Sequence, residues 1–196
     1  MTAALDLALC LLLIFTIIAI TASQSRQQLV TQGAYAVTIS WRAGSNDDVD
    51  LWVRDPRGQI CYFVNPSVDL MHLEHDDLGS GISGTLNGNL IYTANNERTI
   101  ISSAQPGWYV ANVMLYNRVD PGPIEVTVEL WSIASPGSPL ITKQEMLLSN
   151  GDWKTAFRFH IGSHGQYLGY DTLQTDLQRV DNPAIAGTGV SQQAGP

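Results

Sequence analysis

Short runs in which apolar and polar residues alternate, separated by turn motifs, fill the chain from residue 34 to residue 161. In the first run, from Tyr35 to Trp41, every second side chain is large and apolar. This period of two is that of a β-strand, whose successive side chains point to opposite faces. Because the 3.6-residue spacing of a helix is not found there, the pattern predicts half-buried strands joined by tight turns.

Turn motifs divide this region at regular intervals. Asp55–Gly58 reads DPRG, with proline second and glycine last, as in a type I turn. Asp120–Pro123 reads DPGP and is a second turn, and Asn150–Gly151 is a pair typical of β-hairpins. Eight or nine short strands with such turns between them predict a mainly β fold, an antiparallel β-sandwich over residues 34–161.

An apolar run precedes this region. It extends from Ala3 to Ala22 and is broken only by Asp6. Twenty helical residues at about 1.5 Å each are about 30 Å long, the thickness of a bilayer's hydrocarbon core. The residues before the run contain no lysine or arginine, and Ile20 is too large for the first position of a cleavage motif. The run therefore predicts an uncleaved single-pass transmembrane helix over residues 1–23, with a cleaved signal peptide as the alternative.

The segments around the predicted sandwich differ from it in composition. Residues 24–33 are polar and predict a short stalk. Residues 162–196 are rich in glycine, glutamine and serine without regular hydrophobic spacing, which predicts an extended or disordered tail. This organisation predicts a protein of the bacterial inner membrane whose helix contacts lipid and whose C-terminal domain is extracytoplasmic, although the charges beside the run do not determine its orientation.

Charge and cysteine content exclude several functions. The net charge is −8, from 18 acidic and 10 basic residues, and such a chain without a basic face is not expected to bind nucleic acid. The two cysteines, Cys10 and Cys61, lie in separate segments, so no disulfide framework is predicted. Because no nucleophile elbow, phosphate-binding loop or reactive cysteine–histidine pair is recognisable, the sequence predicts that the protein is not an enzyme.

Aspartates cluster in two places. Asp48 and Asp50 are two positions apart on one predicted strand, so their side chains share a face. Asp76 and Asp77 follow in a loop that can bring them to that strand. Calcium takes six to eight oxygen ligands, which clustered aspartates supply. These four residues are a candidate calcium site, and calcium is the one cofactor that the sequence suggests; the alternative is a solvated acidic edge without a metal.

Three segments of the predicted sandwich resemble a known type of domain. They are 48–58 (DVDLWVRDPRG), 106–110 (PGWYV) and 123–128 (PIEVTV). They resemble small β-sandwich domains of bacterial secreted and envelope proteins that carry a D-x-D-L-x-V-x-D-P-x-G strand and turn, relatives of the pre-peptidase C-terminal domains. The resemblance implies a non-catalytic accessory or binding module, which calcium stabilises in some relatives.

The start of the apolar run has a resemblance of its own. Residues 6–15 (DLALCLLLIF) resemble the membrane helix of the ExbD/TolR biopolymer-transport family. The resemblance implies that Asp6 takes up protons beside a polytopic channel subunit. Burial of a carboxylate in the apolar part of a bilayer raises its pKa, which is consistent with that role. The alternative is that Asp6 lies at the headgroup level, near the positive end of the helix dipole.

These observations lead to three functional hypotheses. The first is a membrane-anchored extracytoplasmic β-sandwich with a structural or partner-binding role, whose partners are another protein or a second copy bound through the helix. The second is an ExbD/TolR-like subunit of a proton-driven membrane complex, with Asp6 as the ion-carrying residue. The third is a phage virion or envelope-penetration component, which would be virion-associated.

Overall fold

A computed structural model describes residues 12–16, 34–78, 84–86, 89–91 and 94–178 of the chain. The described part is mainly β. Its strands are β1 (Tyr35–Trp41), β2 (Asp48–Arg54), β3 (Ile60–Cys61), β4 (Ser67–Val68), β5 (Met71–His75), β6 (Gly84–Leu86), β7 (Asn89–Ile91), β8 (Asn95–Ile101), β9 (Gly107–Asn117), β10 (Ile124–Ser132), β11 (Ile141–Leu147), β12 (Trp153–Ile161) and β13 (Tyr167–Asp171).

Eleven of these strands form two antiparallel sheets that pack face to face. The first sheet has the order β11-β10-β1-β8-β5-β4, and the second has the order β13-β12-β9-β2-β3. Strands β6 and β7 pair only with each other. Within this arrangement β8 of the first sheet contacts β2 of the second, and these two strands carry the candidate site described below.

The alternating side chains of both sheets fill the space between them. Val37 and Ile39 of β1 are buried against Leu51 of β2, and all three belong to one continuous core. The rings of Tyr109 and Phe159 are stacked in that core, with 5.0 Å between their centroids. Complete burial of a side chain of this kind contributes about 1.5–3 kcal/mol, so these strands are held mainly by their apolar faces.

The turn between β2 and β3 forms as its sequence predicts. The Asp55 carboxylate accepts hydrogen bonds from the backbone N–H groups of Arg57 (2.9 Å) and Gln59 (2.8 Å). Gly107 packs on this turn with φ of +131°, and a Cβ there would lie 2.7 Å from the Cβ of Pro56. Glycine is required at this position because both the backbone conformation and the close approach exclude a side chain.

The prediction of an N-terminal transmembrane helix is wrong. Among the described residues no helix is both long and apolar enough to cross a membrane, and the described helical residues of the apolar run are residues 12–16. Asp6 and the predicted stalk, residues 24–33, lie outside the described residues.

The predicted number of eight or nine strands is also wrong, because the two sheets contain eleven. The strands of these two sheets that the sequence pattern missed are β4, β5 and β13, and β6 outside them was also missed. Strands β4 and β5 are short and lie in a polar segment, so their alternation is weak. Strand β13 lies within residues 162–196, where an extended or disordered tail had been predicted, and it is extended and paired with β12.

Candidate functional site

The most unusual side-chain position in the structure is that of Glu97, on the inward face of β8. Strand β3 pairs only with Val53 and Arg54, so Leu51 has a strand neighbour only on the β9 side. The backbone N–H of Leu51 donates instead to Oε2 of Glu97, at 2.7 Å. A carboxylate from the first sheet thus satisfies a backbone donor of the second sheet, which places it between the two sheets at their edge.

Three carboxylates meet at this edge. Asp50, Asp76 and Glu97 each offer an oxygen, and these oxygens lie within 4.8 Å of one another. Asp50 comes from β2 and Glu97 from β8, whereas Asp76 directly follows β5, which pairs with β8. Asp50 is 3% exposed and Glu97 is 1% exposed, but Asp76 is open to solvent. We call these three residues the acidic edge site.

Unsatisfied oxygens concentrate around the acidic edge site. Oδ2 of Asp50 and Oε1 of Glu97 have no hydrogen-bond partner, and neither has Oδ1 of the neighbouring Asp48. In the described part of the chain, seven buried side-chain nitrogen or oxygen atoms lack a partner, and six of them are on β2 or β8. An unpaired buried polar group costs about 1–3 kcal/mol, so such a concentration in one region requires a specific explanation.

Burial and mutual repulsion shift the titration of these carboxylates. The pKa of Glu97 is raised to about 10, first by burial and then by Asp76 and the charge of Asp50, although the hydrogen bond from the Leu51 N–H partly opposes this. Burial also raises the pKa of Asp50 to about 7, with contributions from the charges of Asp48 and Asp76. The pKa of Asp48 is raised to about 6, first by burial and then by the charges of Asp76 and Asp77. A cation bound among these groups would have the opposite effect, because it favours their charged forms.

The structure brings together only part of the calcium site predicted from the sequence. Asp50 and Asp76 contribute to the acidic edge site. Asp48 lies beside the acidic edge site, but its carboxylate is not one of the three that form it. Asp77 has another role, because its Oδ2 accepts a hydrogen bond of 3.2 Å from the backbone N–H of Asn96.

The sequence reasoning missed Glu97. Its signal was present in β8, where Asn95, Glu97 and Thr99 occupy the positions that alternate with exposed residues and are all buried. A charged residue at an inward position of a strand is rare without a partner or a ligand. Asp6, the predicted ion-carrying residue, lies outside the described residues.

A second cluster of polar side chains lies on the outer face of the second sheet. Arg54, Val110, Arg158 and Asp171 are directly opposite one another on four neighbouring strands. Arg158 and Asp171 form a two-pronged ion pair, with Nε–Oδ1 and Nη2–Oδ2 distances of 2.7 and 2.5 Å. Within the described part, Arg54 has no hydrogen bond or ion pair. Burial and the charge of Arg158 lower the pKa of Arg54, although the charge of Asp55 partly opposes this.

An exposed tryptophan adjoins this row of residues. The rings of Trp108 and His160 are stacked with 4.8 Å between centroids, and the Arg158 guanidinium is 5.0 Å from the centre of the Trp108 ring. Gly169 is opposite His160 and adds no side chain, and Trp108 remains 40% exposed. We call Arg54, Trp108, Arg158 and His160 the arginine–tryptophan surface.

The other half of the same sheet face is covered by the chain itself. After β13 the backbone crosses this face, where the carbonyl of Thr175 accepts a hydrogen bond of 2.8 Å from the Asn112 amide. Leu177 is buried there against Trp52 and Met114. Among the described residues, the C-terminal segment therefore covers the part of this face around Trp52 and Met114 but does not cover Trp108.

Comparison of the chain with protein-family models, with curated proteins and with solved structures finds no match. The resemblances to pre-peptidase C-terminal domains and to the ExbD/TolR family therefore stay predictions.

Proposed function

We propose that this protein is a non-catalytic β-sandwich module that binds an acidic polysaccharide through the arginine–tryptophan surface. The observation that carries the proposal is Arg54, a partly buried guanidinium that has no acceptor among the described residues and is separated from Arg158 by strand β9. Arg54 and Arg158 lie on either side of Val110 of β9, close enough that the charge of Arg158 lowers the pKa of Arg54. Their like charges repel each other unless another group compensates them. A bound carboxylate would compensate them.

The geometry of this surface favours a planar anion. Asp171 holds the guanidinium of Arg158 through two hydrogen bonds, which fixes its orientation beside Trp108. Arginine binds carboxylates through paired hydrogen bonds, and tryptophan and arginine commonly dominate binding surfaces. The exposed Trp108 ring supplies an apolar contact for the face of a sugar ring, next to the charge that recognises its carboxylate.

This proposal retains the partner-binding role inferred from the sequence but does not depend on a membrane helix. The proton-driven alternative depends on Asp6, which lies outside the described residues. Nothing in the described strands favours the virion alternative, so it stays a prediction from the sequence. The structural role is compatible with the proposal, because a rigid sheet face is well suited to present fixed binding groups.

The test is affinity electrophoresis and calorimetry with polygalacturonate, a polymer of uronic acid, at low and moderate salt. We expect Arg54→Gln and Trp108→Ala to weaken binding about tenfold or more, because a charge-assisted hydrogen bond contributes about 1.5–3 kcal/mol. The matched control is Arg98→Gln, which removes the same charge from β8 of the other sheet, where Arg98 pairs with Glu74.

Three outcomes would contradict the proposal. One is the absence of binding to polygalacturonate. Another is an equal loss of binding in the Arg98→Gln control, which would show that the polymer responds only to overall charge. The third is preferential binding of polyglutamate, which would identify an acidic peptide rather than a polysaccharide as the partner.

A further inference from the structure

We propose that the acidic edge site binds a calcium ion that joins the two sheets at their edge. The ligands from this chain are the carboxylates of Asp50, Asp76 and Glu97. This inference is independent of polysaccharide binding, because it concerns other residues at a different place in the fold.

The unpartnered oxygens distinguish this site from an ordinary cluster of acids. Asp50 and Glu97 are both more than nine-tenths buried, yet each presents an oxygen without a hydrogen-bond partner. The other oxygen of Glu97 accepts from Leu51, so the side chain is held in place while Oε1 is left free. A cation that binds these oxygens would remove the cost of burying them unpaired.

A proton shared between two carboxyl groups would provide a hydrogen-bond partner for only some of the unpaired oxygens. One proton between Glu97 and Asp76 joins two oxygens, but it leaves Oδ2 of Asp50 and Oδ1 of Asp48 without partners. A divalent cation contacts several oxygens at once and compensates more than one negative charge. It therefore accounts for more of the unsatisfied atoms than a proton does.

The donor set and its dimensions favour calcium over other metals. All three ligands are carboxylate oxygens, whereas zinc in proteins prefers histidine and cysteine. Calcium–oxygen distances of about 2.3–2.6 Å allow two ligands of one ion to be up to about 4.6–5.2 Å apart, so three oxygens that all lie within 4.8 Å of one another can share one ion. Magnesium loses its water ligands reluctantly and requires a regular octahedron, which suits a set with two buried carboxylates less well.

The exposure of Asp76 gives the ion a route from solvent and leaves room for water ligands. Calcium needs six to eight oxygens, so waters on this open side would complete its coordination. The ion would connect β2 of the second sheet to β8 and the end of β5 in the first sheet. Because an unfolded chain does not hold these three carboxylates together, binding would stabilise the folded state specifically.

The experiment measures thermal unfolding of the full chain after removal of metals with EDTA, followed by addition of calcium or magnesium. We expect millimolar calcium to raise Tm by about 5 °C or more and magnesium to raise it less. Asp76→Asn should abolish the calcium effect, and it is a suitable variant because Asp76 is exposed and its substitution should not prevent folding. The matched control is Glu74→Gln, which removes one negative charge two residues away on the exposed face of β5 and should keep the full calcium effect.

A direct measurement makes the test independent of stability. Terbium bound at this site should be excited through Trp52, which is two residues from Asp50 on β2. We expect an excess of calcium to displace the terbium and quench this luminescence, and we expect Asp76→Asn and Glu97→Gln to lose it.

Two results would overturn the inference. The first is the absence of both a calcium-dependent Tm shift and terbium luminescence at up to about 10 mM metal, a concentration that would reveal even the weak extracellular class of calcium site. The second is metal-insensitive melting together with a Glu97→Gln variant at least as stable as the unmodified chain, which would show that the carboxyl groups share protons only.

Discussion

Two buried aspartates of the same chain segment, Asp47 and Asp50, have opposite environments. Both are 3% exposed. Asp47 accepts hydrogen bonds from the backbone N–H groups of Val119 (2.8 Å) and Asp120 (2.9 Å), and from the Ser45 hydroxyl (2.9 Å). Asp50, three residues later, has a buried oxygen with no partner and lies beside two further carboxylates.

The difference shows that burial alone does not identify a binding site. The carboxylate of Asp47 connects the turn after β1 to the loop after β9, and its hydrogen bonds account for its burial. The carboxylate of Asp50 is buried to the same extent, but among the described residues it accepts no hydrogen bond from the backbone, and only the side chain of Trp52 lies near it as a donor. A ligand is therefore expected at Asp50 and not at Asp47, and the predictions below test that distinction.

The largest effect on stability is expected at Asp47. Asp47→Ala leaves the backbone N–H groups of Val119 and Asp120 without their acceptor, at a cost of about 3 kcal/mol in the free energy of unfolding. Urea unfolding measures this loss, which should be the same in EDTA and in calcium. The control is Glu125→Ala, an exposed position on β10 where little change is expected. A loss that calcium restores would contradict the comparison, because it would show that Asp47 belongs to a metal site as well.

How far the sequence predicts the fold depends on how local the determining interactions are. The segment from Tyr35 to Trp41 and the turn at Asp55–Gly58 are determined by neighbouring residues, and the structure has them where the pattern predicts. β13 was missed because its five residues, YLGYD, gain their order from pairing with β12. The transmembrane prediction was based on the apolar composition of the N-terminal run, which does not by itself determine helical structure, and no helix among the described residues is long and apolar enough to span a bilayer.

The candidate site was predictable to a similar extent. Asp50 and Asp76 were recognisable as oxygen donors, but their meeting depends on how β2 and β5 are placed by β8. Glu97 completes the site from the opposite sheet, and no local pattern states which inward residue of one sheet faces which strand of the other. The arginine–tryptophan surface was missed for the same reason, because its residues come together only through the pairing of β2, β9, β12 and β13.

The next effect is a dependence of stability on pH in the absence of metal. The folded-state pKa of Asp50 is about 7, above its ordinary value of 3.8, and that of Glu97 is about 10. Because the raised pKa values favour the protonated carboxyl groups in the folded state, the stability linked to these protons is fully present below about pH 4. It is lost as the pH rises through 7, where Asp50 ionises, and then through 10, where Glu97 ionises. In EDTA we expect the free energy of unfolding to fall by at least about 1.4 kcal/mol between pH 5 and pH 8, the equivalent of one pKa unit.

Urea unfolding at several pH values checks this dependence. Asp50→Asn should make the profile flatter, because an amide does not ionise. Calcium should have a similar effect, since a bound cation stabilises the charged carboxylates. A metal-free stability that stays constant or rises between pH 5 and pH 8 would show that these carboxylates do not resist ionisation, and Asp50 would then resemble Asp47.

The smallest effect is expected at Asp120, a half-buried residue whose carboxylate accepts hydrogen bonds from the loop that contains Asp47. The pKa of Asp120 is lowered to about 2, first by a hydrogen bond from the backbone N–H of Asn46 and then by bonds from the side chains of Ser45, Asn46 and Arg42. A lowered pKa has the opposite effect on the pH dependence of stability to that of a raised pKa. The stability that Asp120 contributes is present above about pH 4 and is lost as the pH falls through 2. Asp120→Asn should lower Tm by about 2 °C or less at neutral pH, because exposed ion pairs contribute little, and the difference from the unmodified chain should vanish near pH 2.

Thermal unfolding between pH 2 and pH 7 measures this difference in Tm, and calcium should leave the difference unchanged. A calcium-dependent difference would mean that the loop around Asp47 and the acidic edge site are coupled. The number of hydrogen bonds to a carboxylate would then not distinguish a structural aspartate from a metal ligand.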